Sequence, residues 1–320
     1  MIRLSIIIPF YNVEQYIAQC LDSVYQQDIP ETEYEVICVN DASPDGSREI
    51  VKQYQKMHKN LILVEHEKNK KLGAARNTGR KIAKGTYIWN VDSDDMIAPN
   101  CLKNILDICE REDLDVLDFG YTHNAADFSK DTNELQCHDV LSGEAHIMQY
   151  YHQRIGDICP IWRRLYKRDF LDRNNIYSPE INYGEDMPFA LDVFALANRI
   201  LRSDGIFYMN RQNTASLTGN KQMRLLATKM YEDKVECPYY IYQSIIRCEP
   251  YLTVDVREIY HALLKYSVSE LWMDYDKMNS EEQKKFWKIC RGSFWKNRFI
   301  LHYMGNRLKL KYIRKSLLSI

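Results

Sequence analysis

Three carboxylates stand within one four-residue stretch, Asp92-Ser93-Asp94-Asp95, directly behind the apolar run Thr86-Tyr87-Ile88-Trp89-Asn90-Val91. Acids packed that closely repel one another, and a hard divalent cation such as Mg²⁺ or Mn²⁺ relieves the repulsion through oxygen ligation. Open α/β sheets also bind ligands at the carboxyl ends of their strands, where this cluster sits. The competing structural reading is an acidic turn that caps a helix beginning near Pro99. Further chemistry follows the first two apolar runs of the chain, with Pro9-Phe10-Tyr11-Asn12 after the first and Asp41 after the second. A tyrosine ring offers a face on which a base can stack, and a carboxylate can accept the imide hydrogen of uracil. In that arrangement Asp92 reaches ribose hydroxyls and Asp94 faces the metal. Taken singly, Tyr11 is equally an ordinary half-buried aromatic and Asp41 an Asx-turn former before Ser43-Pro44-Asp45-Gly46. Three strand ends carrying complementary groups together are much less common by chance.

The elements that must hold these groups alternate. Apolar runs at 4–8, 34–39, 61–65 and 86–91 read as strands, and periodic segments at 47–55 and 72–83 as helices. Asn12 is expected to cap a further helix with Val13, Tyr16, Ile17, Cys20, Leu21 and Val24 on one face. That alternation implies crossover connections and a mostly parallel sheet with helices on both faces, an α/β class. A further strand is expected at 115–120 and helices at 144–151, 167–174 and 186–197. Beyond about residue 220 the chain becomes rich in Tyr, Lys, Arg and Glu with helical periodicity at 225–243, 256–272 and 281–289, so a domain boundary is expected near there.

Composition narrows the class. The 320 residues are 45% hydrophobic and 27% charged with a formal net charge of −1, as in a soluble globular protein of about two domains, and that balance gives no argument for nucleic acid. Nine scattered cysteines without a Cys-x-x-Cys pair read as buried reduced thiols. His138 and His146 are not spaced as a zinc pair. No apolar stretch is long enough to span a bilayer, and the run ending at Pro9 lacks a small-residue cleavage site, so a cytoplasmic location is expected.

Together, Ser5-Ile6-Ile7-Ile8-Pro9-Phe10-Tyr11-Asn12, Val39-Asn40-Asp41-Ala42-Ser43, Gly73-Ala74-Ala75-Arg76-Asn77-Thr78-Gly79 and Asp92-Ser93-Asp94-Asp95 resemble the family 2 inverting glycosyltransferases of the bacterial cell-surface polysaccharide type. The resemblance spans roughly residues 1–220, with the motifs in family order. It implies a GT-A (Rossmann-like) catalytic domain over 1–220, with a nucleotide-binding half at 1–120 and an acceptor half at 121–220, followed by a C-terminal helical domain at 221–320. It also implies a UDP-sugar donor, one Mn²⁺ or Mg²⁺, and a glycan or lipid-linked oligosaccharide as acceptor. By the same resemblance Pro9, Tyr11, Glu14, Asp41, Asn69 and Arg76 line the nucleotide, Asp92 and Ser93 meet the ribose side, and Asp94 ligates the metal. Lys71 departs from the family, many of whose members carry glycine there, which bears on the path of the loop at 69–72.

Gly184-Glu185-Asp186 precedes a helix with Phe189, Leu191, Val193 and Phe194 on its apolar face. Without the resemblance, two acids there simply complement a helix N-terminus. With it, Asp186 corresponds to the general base that takes the acceptor hydroxyl proton, and Glu185 becomes a donor-sugar or acceptor contact. Tyr208-Met209-Asn210-Arg211-Gln212-Asn213-Thr214-Ala215-Ser216 reads as a polar loop after a short strand, in which Arg211 and Ser216 are expected to close over the diphosphate, as similar residues do in the family. Trp162, before Arg163-Arg164-Leu165-Tyr166, is either core or an acceptor platform.

The tail interleaves Lys296, Arg298, Arg307, Lys309, Lys311, Arg314 and Lys315 with Phe299, Ile300, Leu301, Tyr303, Leu308, Leu310, Tyr312 and Leu317. That pattern suits either a packed helix with a solvated basic face or peripheral contact with the inner face of a cell membrane. Alternatives from other classes are a catalytically silent sugar-nucleotide-binding scaffold and a nucleotidyltransferase making sugar nucleotides. The second would want a Gly-rich basic loop where Pro9–Asn12 stands.

Overall fold

The computed structural model describes residues 1–129, 137–151, 155–212, 228–276, 278–304 and 312. Its first half is strand–helix alternation: β1 (Leu4–Phe10), α1 (Ile17–Tyr25), β2 (Tyr34–Asn40), α2 (Ser47–Met57), β3 (Leu61–Glu65), α3 (Leu72–Ile82) and β4 (Tyr87–Asn90). Then come β5 (Met96–Ile97), α4 (Leu102–Arg111), β6 (Val116–Thr122), α5 (Gly143–Tyr150), β7 (Arg164–Lys167), α6 (Arg168–Arg173), α7 (Asp186–Leu196) and β8 (Ile200–Met209). Among the described residues these strands form one sheet in the order β3-β2-β1-β4-β7-β6-β8-β5. β1 to β4 are mutually parallel, whereas β7 runs antiparallel to both β4 and β6.

Every residue of β1 and β2 is buried, as expected of strands covered on both faces. Their alternation sorts the core. Leu4, Ile6, Ile8 and Phe10 pack with α1 and α4 on one face, while Ile7 joins Ile88 and Val116 under α5, α6 and α7 on the other. β1 pairs with β4 only as far as Ile7, so the N–H that Pro9 lacks falls where the ladder with β4 has already ended.

Several local expectations change. Asn12 does not cap α1, which starts at Ile17 behind Tyr16; instead Asn12 turns the chain at φ 56°, and its N–H donates to Ser43 Oγ at 2.8 Å. Nor does the acid cluster cap α4, because β5 intervenes and the helix begins at Leu102. The strand before Arg211 is not short: β8 has ten residues and includes Tyr208 and Met209. β7 lies where no strand was expected. All nine cysteines are free thiols, eight buried and Cys137 exposed.

Of the C-terminal helices α8 (Thr228–Cys248), α9 (Val254–Tyr275) and α10 (Ser280–Gly292), α8 packs on α7, and α9 and α10 pack on α8. Ile241, Ile245, Tyr260, Leu264 and Phe286 share one apolar cluster with Phe189, Val193 and Phe194, and Tyr260 Oη donates to the Leu191 carbonyl at 2.7 Å. Phe299, Ile300 and Tyr312 belong to that cluster too. Among the described residues of the tail, these three apolar side chains are therefore spent on packing, and Lys296 pairs with Glu236 at 3.4 Å. Arg307, Leu308, Lys309, Leu310, Lys311, Arg314, Lys315 and Leu317 lie outside the described residues. Among the described residues no helix is long and apolar enough to cross a membrane.

Candidate active site

β4 ends at Asn90, and the three acids leave it in different environments. Asp95 is sealed in, 1% exposed. Its Oδ2 accepts from Tyr208 Oη at 2.7 Å and from Asn210 Nδ2 at 3.3 Å, and its Oδ1 accepts from the Arg211 N–H at 2.7 Å. The Asp92 N–H donates to the same Tyr208 oxygen at 3.1 Å. Burial, with Asp92 and Asp94 adding repulsion, pushes the Asp95 carboxyl up to about 8. Asp95 is thus the foundation that ties the cluster to the end of β8, and Asp92 and Asp94 are the half-exposed members above it. Trp162 is half-buried and stacks on Tyr208 at 4.5 Å with the rings 15° apart, which makes it a wall of this region. Arg164, by contrast, is fully buried and donates to the Ile158 and Pro160 carbonyls at 2.8 and 2.9 Å.

Arg76 joins the acid cluster to the second acidic pair. It lies on α3, 4% exposed, with one Nη donating to Asp92 Oδ1 at 2.7 Å and the other to Glu185 Oε1. Glu185 and Asp186 reach this point because Gly184 adopts φ 77°, and a Cβ there would press on Cys237 Sγ. Burial pushes Glu185 above the ordinary glutamate range, with Arg76 opposing and Asp186 adding repulsion. Burial likewise raises Asp186, to about 6, with Arg76 opposing and Asp92 adding to the rise. The two side chains are adjacent, so their protons come off as a pair.

Because Arg76 compensates two carboxylates, Arg76→Met is expected to destabilise the fold by about 3–5 kcal/mol, the usual result of stripping one partner from a buried pair. Denaturant unfolding reads this directly, and adding Glu185→Gln should recover part of the loss. An Arg76→Met protein as stable as wild type would show that the pair is not structural.

The nucleotide-side residues sit at the ends of β1 and β2. Tyr11 is 47% exposed, leaving its ring available for stacking. Glu14 is exposed and accepts the Gly46 N–H at 3.0 Å, tying the loop after β1 to the loop after β2. Asp41 is almost wholly buried. Its Oδ1 accepts the Lys70 N–H at 2.7 Å and lies 2.7 Å from His66 Nδ1, and its Oδ2 accepts the Lys71 N–H at 2.9 Å. Asn69 Nδ2 reaches the Asp41 carbonyl at 3.3 Å. A carboxylate has about four acceptor positions, so three donors leave Asp41 one to offer. Lys71 takes φ 78° and ψ 160°, a region that costs any residue but glycine about 1–3 kcal/mol.

The structure therefore gathers Arg76, Asp92, Asp94, Glu185, Asp186 and Arg211 around one region, with Pro9, Tyr11, Asp41 and Asn69 at neighbouring strand ends. Ser93 is buried beside Asp94. Arg211 donates from Nε to the Asp94 carbonyl at 2.8 Å and from Nη2 to Gln19 Oε1 at 2.7 Å, over the Tyr16 ring. Ser216 lies outside the described residues. Sequence reasoning missed Tyr208 as a site residue, although a tyrosine near the end of a strand beside an acid cluster was a usable signal. It also missed Asn182 and Asp233, which carry no such signal.

Comparisons with known proteins bear on the family and the fold. The family model described as glycosyl transferase family 2 matches residues 5–173. The chain is 36% identical over 217 residues to the uncharacterized glycosyltransferase EpsJ of Bacillus subtilis (strain 168), covering 67% of this chain and 62% of that protein. It is 32% identical over 212 residues to the poly(ribitol-phosphate) beta-N-acetylglucosaminyltransferase TarS of Staphylococcus aureus (strain MW2), covering 65% of this chain and 35% of TarS. The chain thus spans less than two thirds of the length of these relatives. Among solved structures, S. aureus TarS 1–349 in complex with UDP superposes with a TM-score of 0.68 at 24% identity, covering 98% of this chain and 87% of that one. The mannosyltransferase PcManGT from Pyrobaculum calidifontis, in complex with GDP-Man and Mn²⁺, gives 0.55 at 14% identity, covering 99% and 87%. These structural likenesses establish a shared α/β fold of the GT-A kind. With the family model covering more than half of its residues, the chain belongs to glycosyl transferase family 2.

Proposed function

We propose that this protein is an inverting glycosyltransferase that moves a sugar from a UDP-sugar to a hydroxyl of a glycan or lipid-linked oligosaccharide in cell-surface polysaccharide synthesis. The observation that carries the reading is the Arg76 bridge, which brings the end of β4 and the start of α7 into one buried contact. Donor-side and acceptor-side acids are thereby held in register. Asp186, raised to about 6, is poised to accept a proton near neutral pH. It takes the acceptor hydroxyl proton as that oxygen attacks the anomeric carbon, on the face opposite the leaving diphosphate. One displacement inverts configuration, so an α-linked donor yields a β-glycoside. Glu185 stays on Arg76 and positions its neighbour. Arg211, anchored on the Asp94 carbonyl and Gln19, stands where its guanidinium can meet phosphate oxygens.

The donor set suits Mn²⁺ or Mg²⁺. The cluster offers carboxylate oxygens, and Asp92 and Asp94 stand close enough to Asp95 to add repulsion to the rise that burial causes. Among the described residues no three ligating side chains converge on one point, so Asp94 would hold the ion together with diphosphate oxygens. When bound, the ion neutralises charge on the leaving group. In TarS 1–349 the bound molecules are UDP and UDP-GlcNAc, which supports uridine as the donor nucleotide here. The test is a panel of UDP-sugars with Mn²⁺, read by release of UDP and by thermal stabilisation. At least one donor is expected to do both, and a panel in which none does either defeats the reading.

A further inference from the structure

We propose that Asp233, on the C-terminal helix α8, is a positioning residue that holds Lys71 in a backbone conformation natural only to glycine and so shapes the loop that presents the donor nucleotide. The inference rests on the donor reading above only for its ligand probe. Lys71, at φ 78° and ψ 160°, is the residue immediately before α3. A lysine remains there only when its surroundings over-determine it, and here they do. Its N–H donates to Asp41 Oδ2 at 2.9 Å and to Asn69 Oδ1 at 3.2 Å, and its Nζ reaches Asp233 Oδ1 at 2.7 Å.

Asp233 is fully buried, whereas the lysine side chain is 30% exposed. A buried carboxylate without a cation is strongly unfavourable, so the aspartate draws the lysine inward and holds it. The adjacent cation, Lys234, is turned onto the Tyr183 ring at 4.8 Å. The second oxygen of Asp233 accepts the Asn182 N–H at 2.9 Å, and Asn182 Oδ1 accepts the Leu72 N–H at 2.9 Å. Gly73 N–H then donates to the Ile181 carbonyl at 3.2 Å, where any Cβ on Gly73 would run into the Pro179 carbonyl. One carboxylate from α8 is thus shared by the loop clamped under Asp41 and the loop that leads to Gly184-Glu185-Asp186. This one side chain of the C-terminal helical region thus touches both loops.

Asp233→Asn keeps the shape, but an amide has one oxygen to serve Asn182 and turns an N–H toward the lysine ammonium. UDP with Mn²⁺, titrated by calorimetry, is expected to bind this variant about tenfold more weakly than wild type. Lys71→Gly in the Asp233→Asn background removes both the strain and the stranded ammonium, and most of the affinity should return. Loss of thermal stability in both variants is expected whatever the role, but recovery of affinity by glycine is not. Equal affinity of Asp233→Asn and wild type, or a double variant as weak as Asp233→Asn, overturns the proposal. If wild type binds no UDP, the donor reading falls, and amide hydrogen exchange over residues 69–73 still decides the brace. Faster exchange in Asp233→Asn supports it, and unchanged exchange overturns it.

Discussion

Asp186→Asn is expected to lose about 10²–10⁴-fold in turnover while UDP binds with near-normal affinity, because the amide keeps the size of the carboxylate and removes its basicity. Uniform binding is untouched, so the loss should fall on kcat rather than on KM for the donor. The pH profile of wild type carries the same information with a definite sign. Asp186 must be ionised to accept a proton, and burial raises its carboxyl, so kcat/KM should fall about tenfold per unit on an acid limb that lies above the ordinary aspartate range. Asp186→Asn should lack that acid limb in whatever activity remains. A variant turning over at the wild-type rate would move the base elsewhere, and Glu185 would be next in line.

The second large effect belongs to the cluster at the end of β4. Asp94→Ala should depress transfer by about 10²-fold or more, as should excess chelator acting on wild type, since a cation at a leaving diphosphate contributes several kcal/mol. Asp95→Asn provides the contrast. Asp95 is sealed under Tyr208 and the Arg211 N–H, so its replacement should lower stability more than it alters dependence on Mn²⁺. Transfer that persists undiminished in chelator would remove the metal from the mechanism.

The strands were legible because their apolar runs are continuous. β3 falls at the expected residues, and β1 and β2 extend the expectation by one or two. β7 was not legible, because Arg164-Leu165-Tyr166-Lys167 is short and opens with a charge. That arginine is tolerable in a central strand only because Asp118 on β6 lies beside it, 3.2 Å away, a partner no local pattern announces. In the site, residue types marked Asp92 and Asp94 for chemistry, whereas Glu185 and Asp186 were marked by the family resemblance alone. The burial of Asp95 was hidden, since three neighbouring aspartates look alike until Tyr208 and Arg211 select one of them. Arg76 was expected to line the nucleotide. In the folded chain its guanidinium is occupied by Asp92 and Glu185, a role set by an element more than a hundred residues away. Asp233 reads as one more acid on a polar helix until the fold closes over it.

The sheet order has a consequence for how the protein is made. Emerging from the ribosome, the first ninety residues can pair β1, β2, β3 and β4 through nearby crossovers. That half-sheet ends in β4, whose outer hydrogen-bonding edge stays open until β7, far along the chain, arrives antiparallel beside it. The edge that waits is the one that delivers the acid cluster. Until β7 and then β8 dock, Tyr208 is absent, Asp95 has no cover, and the strand is a free template for pairing with another chain. The edge that carries the acid cluster thus stays open until the second half of the sheet is made, exposed to misassembly while the polypeptide is still growing.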